Sequence, residues 1–176
     1  MLMNPVKIFS LIILLLSFAN CNGKLDAKKQ STLIDKNVVI DSILVKKSDR
    51  LLIVFSNQTK IKSYDIGLGK NPIGKKHFEG DGKTPEGLYY IDAKSAYSKY
   101  HKNLNISYPN KDDIKYANEN DKSVGGEIKI HGLPNSVQLQ NYVVTDWTLG
   151  CIALTNDEID ELFEHVKLGS PILILP

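Results

Sequence analysis

The sequence predicts a mostly β single domain with one helix near its C-terminus. Three observations carry this. Short runs of branched apolar residues recur along the chain, several with the strict alternation of half-buried strands. One segment near the C-terminus changes to a helical period. Glycine- and proline-rich stretches separate many of the runs. With 176 residues and 42% hydrophobic content, the chain is long enough to bury one core.

Residues 38–46 and 50–56 are rich in Val, Ile and Leu and read as strands. Residues 57–60 form a short polar turn, and residues 61–67 alternate apolar and polar. The three runs together predict an antiparallel meander. Residues 67–87 carry Gly67, Gly69, Pro72, Gly74, Gly80, Gly82, Pro85 and Gly87 and read as a loop region. No phosphate-binding pattern occurs in it. Residues 88–91 read as a strand. Residues 92–126 are polar, hold Tyr97, Tyr100, Tyr108 and Tyr116, and are too long for an ordinary connection. They read either as a lid or substrate-binding insertion, with Tyr100 and Tyr108 as peptide contacts, or as a surface excursion. Residues 127–131 alternate cleanly and read as a strand ending at Gly132, and residues 151–154 as a short apolar strand. Thr155 and Glu158 have capping-box spacing, and Ile159, Leu162, Phe163 and Val166 follow helical spacing. A helix is therefore expected to run to about Leu168, with Gly169 as its stop. Residues 171–175 form a closing strand.

The N-terminus reads as a leader. Lys7 precedes an apolar run over residues 8–19, the pattern of a secretory signal. The run is shorter than the roughly 20 residues a membrane span needs. The segment Leu16-Ser17-Phe18-Ala19-Asn20-Cys21 resembles a bacterial lipoprotein signal, with Phe18 and Asn20 departing from the strict pattern. Residues 1–20 are thus expected to be a signal peptide. Lipidation at Cys21 would put an anchor at the start of a polar tether over residues 21–37, followed by a domain over residues 38–176. The protein is expected to be exported and held at a membrane facing the periplasm or cell envelope.

The formal net charge is +2, with the charges interspersed, which gives no footing for nucleic acid. The chain has two cysteines. With Cys21 in the leader, Cys151 is the one thiol of the mature domain, so no internal disulfide is available. Thiol catalysis needs a base and oxyanion donors. Cys151 follows Gly150, which lets a substrate approach the backbone, and His131 ends a strand before Gly132. Two strand ends can meet at one sheet edge. From spacing alone, Cys151 is as well read as a small core residue and His131 as a structural histidine. His77, His101 and His165 sit in less constrained contexts.

Resemblance favours the chemical reading. Ile130-His131-Gly132, followed by Asp146-Trp147-Thr148-Leu149-Gly150-Cys151-Ile152-Ala153-Leu154, resembles the L,D-transpeptidase catalytic domain family (YkuD-type). So does Gly82-Lys83-Thr84-Pro85-Glu86-Gly87-Leu88-Tyr89. Thr148, Gly150 and Cys151 match the family's block. Leu149 stands where the family has His, and Ala153 where it has Arg. The D-W-T-x-G-C-I-A form is similar to a branch with murein-processing members.

The resemblance implies an L,D-transpeptidase-like β-sandwich or barrel with Cys151 as nucleophile and His131 as base. Gly150, Thr148 and Gly132 would position the oxyanion and the pair. Asp146, Trp147, Tyr100, Tyr108 and Thr84 would contact substrate, although Asp146 and Trp147 equally suit structural roles. A backbone carbonyl near the catalytic glycines would orient the histidine. The expected reaction is acyl transfer on peptidoglycan stem peptides at a diaminopimelate–D-alanine bond, resolved by an amine or by water. The expected partners are stem peptides and, through the lipid, a membrane. The chain is expected to act as a monomer, without cofactor or metal; it has no H-E-x-x-H motif and no cysteine pairs. A reading from another class is a membrane-tethered peptidoglycan-binding lipoprotein that has kept the fold and lost the chemistry, with Leu149 and Ala153 as its support.

Overall fold

Branched apolar runs build one curled sheet. The computed structural model describes residues 33–136 and 145–176. Along the chain come β1 (Ser42–Lys46), β2 (Leu51–Ser56), β3 (Thr59–Asp65), β4 (Gly87–Ser98) and β5 (His101–Ile106). Then follow α1 (Lys111–Glu119), β6 (Lys129–His131), β7 (Ile152–Ala153), α2 (Asn156–His165) and β8 (Pro171–Leu175). The strand order is β3-β2-β1-β8-β4-β5-β6-β7. β1, β2 and β3 form the expected antiparallel meander. The β2–β3 turn places Asn57 and Gln58 at φ 48° and 65°, as a two-residue hairpin matching strand twist requires. β8 inserts parallel to β1 and antiparallel to β4, which joins the two halves of the sheet.

The curl ties the two ends of this order together. Gly67, just beyond β3, exchanges both backbone hydrogen bonds with Ala153 of β7, at 2.9 and 2.8 Å. Inside lies one apolar cluster that includes Val45, Leu52, Ile91, Leu104, Ile130 and Ile152. α2 adds Ile159 and Leu162 to it and packs against β5 and β6.

α2 begins as the sequence predicts. Thr155 accepts the Glu158 N–H, and the Glu158 carboxylate accepts the Thr155 N–H. The helix ends at His165, earlier than expected, because Ile40 captures the chain. Ile40 N–H donates to His165 O and Lys167 N–H donates to Ile40 O. This pairing pulls Val166 into extended backbone.

Residues 92–126 are largely regular structure rather than a loose excursion. β4 runs on to Ser98 and returns as β5, so residues 92–106 belong to a long hairpin. α1 follows, capped by Asn110 and Asp113 in a capping box. The compact unit begins at Leu33, so residues 33–37 belong to the fold rather than to a tether. There the Ile34 N–H donates to the buried Glu161 carboxylate at 2.7 Å. That carboxylate also accepts Lys62 Nζ and the Tyr64 hydroxyl. The expected signal peptide, the Cys21 lipidation site and the rest of the tether lie outside the described residues. Among the described residues no helix is long and apolar enough to cross a membrane.

Candidate active site

β6 and β7 lie parallel, with Ile130 beside Ile152 and His131 beside Ala153. Ile130 and Ile152 are fully buried in the core, so alternation puts Lys129 and His131 on the other face of β6. Cys151 precedes β7 on that same face. Thiol and imidazole therefore lie on one face of adjacent parallel strands, one diagonal step apart.

His131 is buried, and its Nδ1 lies 2.7 Å from Gly132 O. A carbonyl only accepts, so Nδ1 carries the proton and Nε2 is left as the basic nitrogen. Gly132 thus supplies the orienting carbonyl. It is fixed in turn, because its N–H donates to Tyr100 O at 3.1 Å and an added Cβ would lie 2.7 Å from Asn156 Oδ1. Tyr100 stacks on the imidazole at 4.6 Å between centroids, and Trp147 meets it edge-on at 5.6 Å. Burial pushes the imidazole below its ordinary pKa and outweighs the Gly132 hydrogen bond, which acts the other way; the Lys129 charge lowers it further.

Cys151 is half-buried. Its sulfur lies 3.5 Å from Glu127 O, to which the thiol donates. Burial pushes the thiol pKa up. The Lys129 N–H and the Lys129 and Lys76 charges oppose that rise, while Glu127 adds to it. Both shifts favour the uncharged forms at neutral pH, a thiol and an imidazole. No hydrogen bond joins Cys151 to His131 among the described residues.

The loop before Cys151 is clamped by Thr148. Its buried hydroxyl donates to Cys151 O at 2.7 Å and accepts the Gly150 N–H at 3.0 Å. Gly150 has φ +139°, and a Cβ there would stand 2.6 Å from Lys83 O, so a side chain is excluded on both counts. The Gly150 N–H is engaged by Thr148 and so is not free to serve as an oxyanion donor. Thr148 also pairs with the segment after β3: its N–H donates to Leu68 O and its carbonyl accepts the Lys70 N–H.

Two clefts meet at this pair. One, of about 490 Å³, runs under the far half of the β4–β5 hairpin. The other, of about 660 Å³, lies between residues 76–80 and residues 125–128 and is also lined by Trp147 and Leu149. Tyr100, Glu127, His131 and Cys151 line both.

Three expected substrate contacts are placed elsewhere. Thr84 is fully buried, and its hydroxyl accepts the Gly69 N–H at 3.1 Å. Tyr108 is a core residue whose hydroxyl donates to Val124 O at 3.1 Å. Asp146 is held by Arg50, with Nη2 at 2.7 Å, and accepts the Leu68 N–H at 2.9 Å. Each is consumed by the scaffold. Sequence reasoning missed Glu127, Lys129, Lys76 and Glu79, which line the clefts. The only hint for Glu127 and Lys129 was their place on the strand that leads to His131. Of the two departures, Leu149 is exposed in the larger cleft, whereas Ala153 is buried and paired on both sides.

A curled, mostly β domain is the fold the resemblance implied. The chain matches the YkuD family, the L,D-transpeptidase catalytic domain, over residues 40–174 and belongs to it. It is 33% identical over 108 residues to the candidate L,D-transpeptidase YafK of Escherichia coli (strain K12), covering 60% of this chain and 37% of YafK. Among solved structures it is similar to Bd1075 of Bdellovibrio bacteriovorus, at 30% identity and TM-score 0.55, covering 82% of this chain and 52% of that one. It is also similar to the helical cell shape determining protein Pgp2 of Campylobacter jejuni, at 27% identity and TM-score 0.61, covering 78% and 48%. The chain thus spans about a third of YafK and about half of the other two.

Proposed function

We propose that this protein is an exported peptidoglycan enzyme that performs cysteine-dependent acyl transfer on stem peptides during cell-wall remodelling. The observation that supports it is the opening of Cys151 and His131 onto the same two clefts, with Nε2 left as the basic nitrogen. The similarity to Pgp2, a cell shape determining protein, extends the proposal to control of cell shape.

In the first step His131 Nε2 takes the Cys151 proton as sulfur attacks the carbonyl carbon of the diaminopimelate–D-alanine bond. The imidazolium then gives that proton to the departing amine, which leaves a thioester on Cys151. A second amine, or water, attacks the thioester while His131 accepts its proton; the C–S bond breaks and His131 returns that proton to the Cys151 sulfur. The product is a cross-link in the first case and a shortened stem in the second. Because Thr148 occupies the Gly150 N–H, the backbone N–H of Cys151 is the candidate oxyanion donor. Lipidation at Cys21 would hold the domain at the envelope.

The test is incubation of the purified protein with disaccharide-tetrapeptides, followed by mass spectrometry of the muropeptides. Release of D-alanine or a new cross-link is expected, together with a transient adduct on Cys151. Cys151→Ser should show none of these. Turnover that persists in Cys151→Ser would refute the mechanism. In the native host, a mature chain with an unmodified Cys21 would refute the anchor.

A further inference from the structure

The two clefts that meet at Cys151 carry opposite charge. The hairpin-side cleft is lined by Lys94, Lys99 and Lys129 against a single carboxylate, Glu127. The loop-side cleft has one ammonium, Lys76, against Glu79 and Glu127. Local pairing sharpens the contrast. Lys76 is buried and answered by Asp81 at 2.9 Å. Glu79 accepts the Ser123 hydroxyl at 2.7 Å and has no ion pair among the described residues. On the hairpin side, Glu127 neutralises Lys129. Lys94 donates to Phe163 O at 2.7 Å, lies over the Phe163 ring and feels the nearby Glu164 carboxylate without a direct ion pair among the described residues, so its charge is only partly offset. Lys99, at the turn between β4 and β5, has no ion pair among the described residues.

We propose that this polarity sets the direction in which a stem peptide crosses Cys151. The carboxylate of the departing D-amino acid lies toward Lys99 and Lys94 on the hairpin. The ammonium-bearing side chain of the acyl residue lies toward Glu79. The inference rests on the reading of the chain as a stem-peptide acyl transferase. A reversed peptide would set its terminal carboxylate against Glu79, where like charges repel, and away from the two lysines; the diaminopimelate side chain carries a carboxylate beside its ammonium, so the terminal carboxylate dominates the choice. Lys99 is exposed, so its contact should change affinity by about twofold to fivefold and weaken as salt rises.

The experiment measures binding of a diaminopimelate-containing tetrapeptide, and of its C-terminal amide, to the full-length Cys151→Ala protein by calorimetry. The free acid should bind more tightly than the amide, and high salt should narrow the difference. Adding Lys99→Gln should remove most of that preference. Adding Glu79→Gln should preserve it and instead reduce discrimination against a peptide whose side-chain amine is acetylated. A photoreactive C-terminal residue should label the β4–β5 hairpin. An acid–amide preference unchanged by Lys99→Gln, or labelling of residues 76–80, would overturn the proposal. These preferences in Cys151→Ala, with no turnover of either peptide by the unsubstituted protein, would sink the catalytic reading and leave the orientation standing. Turnover without any acid–amide preference would do the reverse, and absence of binding would remove both.

Discussion

Thr148→Val replaces a buried hydroxyl with a methyl of nearly the same volume. The hydroxyl joins the Gly150 N–H and Cys151 O at 3.0 and 2.7 Å. A typical hydrogen bond contributes about 1 kcal/mol net, and a stranded buried polar group costs about 1–3 kcal/mol. Losing two bonds and stranding a donor and an acceptor should therefore cost about 2–4 kcal/mol of stability. Thr148→Ser keeps both bonds and gives up one buried methyl, about 0.8 kcal/mol. The two groups flank the proposed nucleophile, so relaxation of the loop would also move Cys151. A displacement of about 1 Å at a reacting centre can reduce turnover by about a hundredfold. Urea unfolding gives the stability of both variants, and release of D-alanine from tetrapeptide gives turnover. The expected order in both assays is parent, then Ser, then Val, with the larger gap before Val. If Thr148→Val stays within about 0.5 kcal/mol of the parent protein and turns over normally, the hydroxyl clamp does not organise the site.

His131→Ala should lower turnover by at least about a hundredfold, and the Cys151 alkylation midpoint of the parent protein should lie above the ordinary thiol value of about 8.5 because burial raises it. A midpoint near or below that value would contradict the neutral resting pair. The unfolded chain protonates His131 near pH 6.5, whereas burial keeps it neutral in the fold to lower pH. Its contribution to stability is therefore in place above about pH 6.5 and is lost as pH falls through the folded value. Urea midpoints of parent and His131→Gln proteins across that window should converge toward acid, and parallel curves would refute the assignment. Glu161→Gln weakens three contacts, to Ile34 N–H, Lys62 and Tyr64, and should cost about 2–3 kcal/mol, seen as a lower melting temperature with earlier proteolysis near Ile34. Gly150→Ala should fail to fold or lose activity, whereas Gly126→Ala, where an added Cβ meets nothing within 4 Å, should leave folding and melting temperature unchanged; equal loss of stability would contradict the close approach to Lys83.

The parts of this fold that were legible announce themselves locally. Residues 171–175 are a dense apolar run and form β8 with those limits, and the Thr155–Glu158 box marks the start of α2. β5 was missed because only Leu104 and Ile106 of its residues are apolar, so its pairing with β4 and β6 is decided by neighbours. α1 was missed because its buried residues are Asp113 and Ala117. The spacing of Asn110 and Asp113 could have signalled its start. At the site, His131, Gly132, Thr148, Gly150 and Cys151 were legible as a motif. The cleft charges were not, since they come from three segments that only the sheet brings together.

The glycine-rich stretch shows why motif residues can be right in position and wrong in role. Residues 67–87 look like punctuation, yet they hold the wall on which the loop before Cys151 rests. Asp81 organises that wall. Burial alone would raise its pKa, but the N–H groups of Phe78, His77 and Lys83 and the Lys76 ammonium outweigh this and hold it below the usual carboxylate value. Lys47, almost fully buried, reaches Gly74 O, Thr84 O and Glu86 from the β1 side. Against this wall Gly69 passes so close to Gly82 O that a Cβ would overlap it at 2.2 Å, with Gly150 Cα at 3.1 Å. Thr84 and Asp146 fix this contact from either side by accepting the successive N–H groups of Gly69 and Leu68. Both therefore constrain Cys151 without facing a cleft. Substituting either should lower turnover together with stability, whereas loss of a true substrate contact would raise KM and spare the melting temperature.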